Sequence, residues 1–156
     1  MKWKEWLDEW SMSSLKVNTG FLNMEFKPND VDKNAAWDMY IELLTRITTQ
    51  PLADNHGDEQ TALDSIYSLF PITRSIIKDN GRHCIEFTKI AIIILNQKIR
   101  PFTAKWHKLS LDNAFEDKNK CALFRDELKE LQNTLNIYTK MLSSMADVEN
   151  LTELEA

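Results

Sequence analysis

Glycine and proline are scarce in this sequence. Its 156 residues include three glycines and four prolines, too few for the many tight turns of a β-sandwich or a β-barrel. Long apolar runs are also missing, since the most apolar stretch, residues 90–96, is far shorter than the roughly 20 residues that span a bilayer. We therefore expect no membrane span and a chain of helices joined by few loops.

Cysteine is too sparse to build a framework. Cys84 and Cys121 are the two cysteines, and neither belongs to a C-x-x-C pair. A structural disulfide or zinc site normally shows more cysteines than this, so we interpret both as reduced thiols in a cytoplasmic protein. We predict no metal and no cofactor. The charged, amphipathic N-terminus MKWKEWLDEW is unlike the apolar core of a signal peptide.

The net charge of −5 is unevenly distributed. Residues 147–156 contain acids and no base, whereas residues 87–111 contain bases and no acid. The molecule thus has one basic region and one acidic tail. As a whole it lacks the large cationic excess that is typical of nucleic-acid-binding proteins.

Residues 1–20 are predicted to form an amphipathic N-terminal helix and a connector. Trp3, Trp6, Leu7 and Trp10 recur at helical spacing and form one apolar stripe. Three tryptophans carry a large apolar surface, so the stripe must dock on the body of the same chain or on a partner. We assign partner binding to the three tryptophans.

Helical periodicity continues through the middle of the chain. We expect one helix that is capped by Asn29 or Asp30, and another that begins near Glu59 and is ended or kinked by Pro71. Gly81 is a stop signal. The apolar sequence that follows predicts a buried helix over residues 83–98.

A heptad pattern marks the long C-terminal helix, which we predict over residues 112–146. Its apolar residues alternate at spacings of four and three, as in a coiled-coil seam: Phe124, Leu128, Leu131, Leu135, Tyr138, Leu142 and Met145. The seam belongs either to the core of a bundle or to a contact with a second chain. Because the seam and the N-terminal tryptophans offer more apolar surface than a small bundle easily covers, we predict a homo-oligomer. Residues 1–156 are predicted to be one all-α domain, a bundle of five or six helices with an acidic tail at 147–156.

The segment KIRPFTAKWHKLS, residues 98–110, is the best candidate for chemistry. On an otherwise helical chain, Arg100 and His107 resemble the R-x4-6-H motif of the HEPN superfamily, helical-bundle ribonucleases common in bacterial defence and toxin–antitoxin systems. The resemblance implies a metal-independent ribonuclease whose paired Arg and His act across a dimer. His107 would be the general acid or base toward the RNA 2′-hydroxyl, and Arg100 would hold the scissile phosphate. Pro101 departs from the family, which usually has a polar residue there.

Two other interpretations of this segment need no catalysis. In the first, which we favour, the segment is a corner between the 83–98 helix and a short helix begun by Pro101. Phe102 and Trp106 then point inward together and the lysines point outward. In the second, the segment is a sensor site for a small anionic ligand, formed by Lys98, Arg100, Lys105, His107 and Lys108.

The loop ADNHGDE, residues 53–59, contains Asp54, His56, Asp58 and Glu59. Carboxylates and an imidazole are ligands for divalent metals, but this spacing matches no defined metal-binding loop. We interpret the segment as a turn followed by a helix cap.

From these features we expect a non-enzymatic cytoplasmic module that binds a protein partner or itself. The alternatives are a HEPN-like ribonuclease that uses Arg100 and His107 on RNA, and the anion sensor. The overall character of the chain leads us to expect an accessory or effector subunit of a bacterial antiviral-defence or toxin–antitoxin system.

Overall fold

The computed structural model describes residues 1–46, 48–50, 52 and 58–155, which form an all-α bundle. Two short helices come first, α1 (Trp3–Glu9) and α2 (Thr19–Leu22). Within the described residues, six helices have nine residues or more: α3 (Asp30–Leu44), α4 (Glu59–Tyr67), α5 (Leu69–Asn80), α6 (Ile85–Ile94), α7 (Arg100–Leu111) and α8 (Lys118–Ala146). The predicted all-α bundle with a long C-terminal helix is confirmed.

One buried carboxylate joins the starts of α3 and α6. Asn29 caps α3 as predicted: its Oδ1 accepts the N–H of Asp32 at 2.9 Å, and Oδ2 of Asp32 accepts the N–H of Asn29 at 2.9 Å. The other oxygen, Oδ1 of Asp32, accepts the N–H of Phe87 at 3.1 Å. Because Asp32 is fully buried, it satisfies donors that both helix ends leave open and fixes α3 against α6.

Pro71 interrupts the helix as predicted. α4 ends at Tyr67 and α5 begins at Leu69, so the break lies at Ser68, three residues before the proline. Proline has no N–H for the carbonyl of residue i−4, and its ring clashes there, so the interruption falls where the clash would occur. Gly81, with a φ of 85°, follows the last residue of α5 and confirms the predicted stop.

The junction between α6 and α7 differs from the predicted corner. A π-helical segment, Leu95–Ile99, joins the two helices without a loop. The N–H of Arg100 bonds to the carbonyl of Leu95, five residues back, so the hydrogen-bond ladder has left the α register just before Pro101, which has no N–H. Pro101 lies in the first turn of α7, as predicted.

The predicted start of the last helix at residue 112 was wrong by six residues. Asn113 has a left-handed conformation with a φ of 60°, and a 3-10 turn follows at Ala114–Glu116. Asp117 then caps α8, since its side chain accepts the N–H of Asn119 at 2.8 Å.

The heptad seam of α8 lies inside the single chain. All seven seam residues are buried, and α8 packs most extensively against α3. The surplus of apolar surface from which self-association was predicted is therefore not present along this seam.

The acidic tail folds back onto the bundle. The hydroxyl of Tyr40 donates to the carbonyl of Glu149 at 2.9 Å and accepts the N–H of Leu151 at 2.7 Å. The Nζ of Lys140 lies 3.3 Å from Oε1 of Glu153. Contacts with α3 and α8 thus hold the tail. None of the helices in the described ranges is long and apolar enough to cross a membrane.

Candidate functional site

Arg100 and His107 lie on the same side of α7, against the α4–α5 junction. The Cζ of Arg100 lies 4.6 Å from the ring centroid of Phe70, and its Nε donates to Oδ1 of Asn96 at 3.2 Å. The imidazole of His107 meets the ring of Tyr67 edge to face, with 5.0 Å between centroids. Tyr67 and Phe70 are neighbours, at 5.6 Å. Each of the two motif residues is therefore engaged with one of two adjacent aromatic rings.

The lysines of the basic segment face other directions. Lys98 and Lys105 line a groove between α7 and α8 that also contains Glu127 and Glu130. The Nζ of Lys105 lies 2.7 Å from Oε2 of Glu127, and Lys108 is exposed. The five residues predicted to bind an anion are thus not brought together, and carboxylates share the groove with two of them.

The surroundings of His107 provide no hydrogen-bonding partner that would orient the imidazole for acid–base catalysis, within the described residues. Within the described residues the imidazole of His107 forms no hydrogen bond, so no partner selects its tautomer. Arg100 is exposed. The pair supplies a cation and an imidazole on one side of a helix, an arrangement that suits contact with a phosphate.

The aromatic side chains of residues 98–110 pack into the core, as the favoured interpretation of this segment predicted. Phe102 and Trp106 are both buried, which confirms that they point inward together. Trp106 stacks on Phe115 with 5.9 Å between centroids and meets Phe124 edge to face at 5.1 Å. This aromatic cluster joins α7 to the start of α8.

The N-terminal tryptophans dock on the chain itself. Trp3 and Trp6 are buried in the core, and Trp10 is partly buried. Phe26 stacks on Trp6 at 4.1 Å, and Phe21 packs on Trp3 at 4.8 Å. The stripe could dock on the same chain or on a partner. In this structure it docks on the same chain, because aromatic rings of residues 21 and 26 pack against it. The assignment of partner binding to Trp3, Trp6 and Trp10 stays a prediction, although Trp3 and Trp6 are buried within the chain itself.

The considered metal loop lies largely outside the described residues, which include neither Asp54 nor His56. Asp58 caps α4 by accepting the N–H of Thr61 at 2.8 Å. Glu59 forms an ion pair with Arg125 at 2.6 Å. Among the residues whose positions are described, no group of three or more His, Cys, Asp or Glu side chains is arranged to hold a metal.

The surroundings of two other ionisable side chains, Tyr138 and Cys121, raise their pKa values. Burial raises the pKa of the Tyr138 phenol far above its ordinary value. Burial, followed by the nearby Glu59 carboxylate, raises the pKa of the Cys121 thiol. A raised pKa keeps the thiol protonated at neutral pH, and a protonated thiol is a poor nucleophile.

An open groove with exposed apolar side chains lies between α3 and α5, and we call it the α3–α5 groove. It has a volume of about 530 Å³ and is lined by Trp37, Asp38, Ile41, Glu42, Pro71, Ile72, Ser75, Ile76 and Asp79. Trp37 and Ile41, four residues apart on α3, are 42% and 39% exposed. The lining thus combines exposed apolar side chains with three carboxylates and contains no basic residue.

The groove was missed by the sequence interpretation, which predicted this helix from a single apolar stripe of residues at helical spacing: Val31, Ala35, Ala36, Met39, Tyr40, Leu43, Leu44 and Ile47. Trp37 and Ile41 lie outside that stripe, and each is followed by an acid, Asp38 and Glu42. This second apolar pair at a spacing of four was the available signal. The contribution of α5 carried no sequence signal, because nothing local indicates which helix lies beside α3.

Comparison of the chain with protein-family models, with curated proteins and with solved structures found no match.

Proposed function

We propose that this protein is a non-enzymatic interaction module that holds a protein partner in the α3–α5 groove. The observation that carries the proposal is the exposed pair Trp37 and Ile41, set in a groove of about 530 Å³. Exposed apolar surface rimmed by polar groups is typical of protein-binding sites, and tryptophan is enriched among the residues that dominate binding energy.

The contrast with the other tryptophans supports this choice. Trp3, Trp6 and Trp106 are buried and serve the core. Trp37 contacts Tyr40 at 5.9 Å between centroids, yet much of its indole faces solvent. An indole held against its own helix and open on its outer side offers a preorganised surface to a partner.

Site-specific photocrosslinking in the cells that express the protein tests the proposal. A photoreactive phenylalanine analogue replaces Ser75, an exposed residue in the groove lining. We expect irradiation to yield a discrete crosslinked species that disappears when Trp37 and Ile41 are both changed to alanine.

The matched control carries the same analogue at Ser14, which is exposed and does not line the groove. We expect no discrete species there. If position 75 yields no discrete species, or the same one as position 14, the proposed function is wrong. A species of twice the chain's mass identifies a second copy as the occupant.

A ribonuclease that uses Arg100 and His107 is the second candidate. The observation that favours it is their placement on one side of α7, beside Tyr67, which is 48% exposed. Arginine with an exposed aromatic ring suits contact with single-stranded nucleic acid. The test incubates wild-type protein, His107→Ala and Arg100→Ala with structured and single-stranded RNA. This candidate requires cleavage by the wild type and its loss in each folded variant.

A further inference from the structure

We infer that the segment bound in the α3–α5 groove is a basic amphipathic helix, with one apolar face and lysines or arginines beside it. This inference rests on the proposed function and specifies the chemistry of the partner. It follows from the charge of the groove, from its apolar lining and from the kind of backbone that borders it.

The charge of the groove is acidic. Its carboxylates belong to Asp38, Glu42 and Asp79. Glu42 is paired with Arg46 at 2.8 Å, whereas Asp38 accepts a hydrogen bond from the neutral amide of Asn80 at 3.2 Å. In the part of the chain that the structure describes, Asp38 and Asp79 have no cationic partner. A basic segment complements these two charges, and an acidic segment is repelled by them.

The shape of the groove favours a helix over an extended strand. Both of its sides are helices, whose backbone N–H and C=O groups are used internally, so it offers no edge on which a strand could add. From Pro71 to Asp79 it extends along α5 for about 12 Å, a little over two helical turns. Side chains of a partner helix at positions i, i+3 or i+4, and i+7 match this length.

The α6 surface of a second copy of this chain is a poorer occupant. The exposed isoleucines of α6, Ile85 and Ile92, are accompanied on that helix by one base, Lys89. The Nζ of Lys89 already lies 3.0 Å from Oε1 of Glu86. Helix α6 itself therefore offers no unpaired cation for Asp38 and Asp79.

Three synthetic peptides of about 14 residues, long enough to cover the groove as a helix, test the inference. The first places leucines on one helical face and lysines elsewhere, the second replaces the lysines by glutamates, and the third scrambles the first so that no apolar face remains. Each is titrated into ¹⁵N-labelled protein, and amide and indole shifts report where it binds. We expect the first peptide alone to shift the signals of Trp37, Ile41 and Ser75.

Variants separate the apolar and electrostatic contributions. The double variant Trp37→Ala with Ile41→Ala should lower the affinity for the first peptide by about tenfold or more. The double variant Asp38→Asn with Asp79→Asn should lower this affinity by about fivefold and make it depend less on salt concentration. The control, Asp8→Asn with Glu9→Gln, makes the same change in net charge at exposed residues of α1 and should change the affinity by less than about twofold.

The outcomes distinguish this inference from the proposed function. Three results would overturn the inference. The acidic peptide could bind the groove as tightly as the basic one, or the Asp8/Glu9 control could weaken binding as much as the Asp38/Asp79 variant does. The basic peptide could also shift signals outside the groove. Binding by none of the peptides would overturn it as well. The crosslink at Ser75 decides the proposed function separately, because it does not depend on the charge of the partner.

Discussion

The indole Nε1 of Trp3 donates a 2.8 Å hydrogen bond to Oε2 of Glu86, a residue 83 positions later in the chain. Glu86 is also paired with Lys89, and the Nζ of Lys89 lies 5.9 Å from the ring centroid of Trp3. The N-terminal helix is therefore held to α6 by a buried polar contact in addition to its apolar burial.

Trp3→Phe should destabilise the protein by about 1–3 kcal/mol, because it removes the only donor that α1 supplies to the buried Glu86 in the described structure. Chemical denaturation monitored by circular dichroism measures the change. Lys4→Ala, at an exposed position of the same helix, is the control and should stay within about 0.5 kcal/mol of the wild type. Equal stabilities for the two variants would contradict this role of the indole.

Asp32→Ala should destabilise by at least about 2 kcal/mol, because it leaves the buried N–H of Phe87 and the N–H of Asn29 without their acceptor. Asp30→Ala removes a carboxylate from the same helical turn, but Asp30 is exposed, and we expect a loss below about 1 kcal/mol. Urea denaturation curves compare the two. A larger loss in Asp30→Ala would refute the assignment of the double cap to Asp32.

Trp106→Ala should destabilise the protein by about 3 kcal/mol or more, because removing this fully buried indole leaves a cavity beside Phe115 and Phe124. Arg100→Ala removes a cation–π contact at an exposed position and should cost about 1 kcal/mol or less. Thermal denaturation of both variants, with His107→Ala beside them, ranks the three effects. The packing interpretation fails if Trp106→Ala is as mild as Arg100→Ala.

The cap of α4 should make stability depend on pH in the acid range. Hydrogen bonds from the side chain and then the backbone of Thr61 lower the pKa of Asp58 below its ordinary value. A carboxyl with a lowered pKa in the folded state stabilises the protein above its unfolded pKa, and this contribution is lost as the pH falls through the folded value.

The stability advantage of the wild type over Asp58→Ala should therefore shrink as the pH is lowered from about 6 to about 3. Asp58→Asn keeps a side-chain oxygen at the cap and should vary less over this range. Urea titrations at each pH measure both differences. A wild-type advantage over Asp58→Ala that stays constant down to about pH 3 would show that Asp58 is not acting as an ionised cap.

Local features of the sequence were sufficient for some helix boundaries. Asn29 as a cap, the interruption before Pro71 and the stop at Gly81 all depend on the conformation of a few adjacent residues, so they were predictable. The start of α8 was missed: Asp112, Asn113 and Asp117 are residue types that favour turns and helix caps, but the sequence does not show which of them begins the helix. The π-helical segment was also missed, although Pro101, which has no N–H, follows it closely in the sequence.

The sequence by itself determined the all-α class, the amphipathic stripe at the N-terminus and the heptad seam, because helical periodicity is recorded in the spacing of apolar residues. Only the tertiary structure decided which of these surfaces stayed open. The tryptophans Trp3 and Trp6 and the seam are covered by other segments of the same chain, while α5 lies beside α3 and leaves Trp37 and Ile41 exposed above Asp38 and Asp79. Whether an apolar side chain is core or binding surface depends on which distant segment packs against it, and the spacing of residues within one helix does not contain that information.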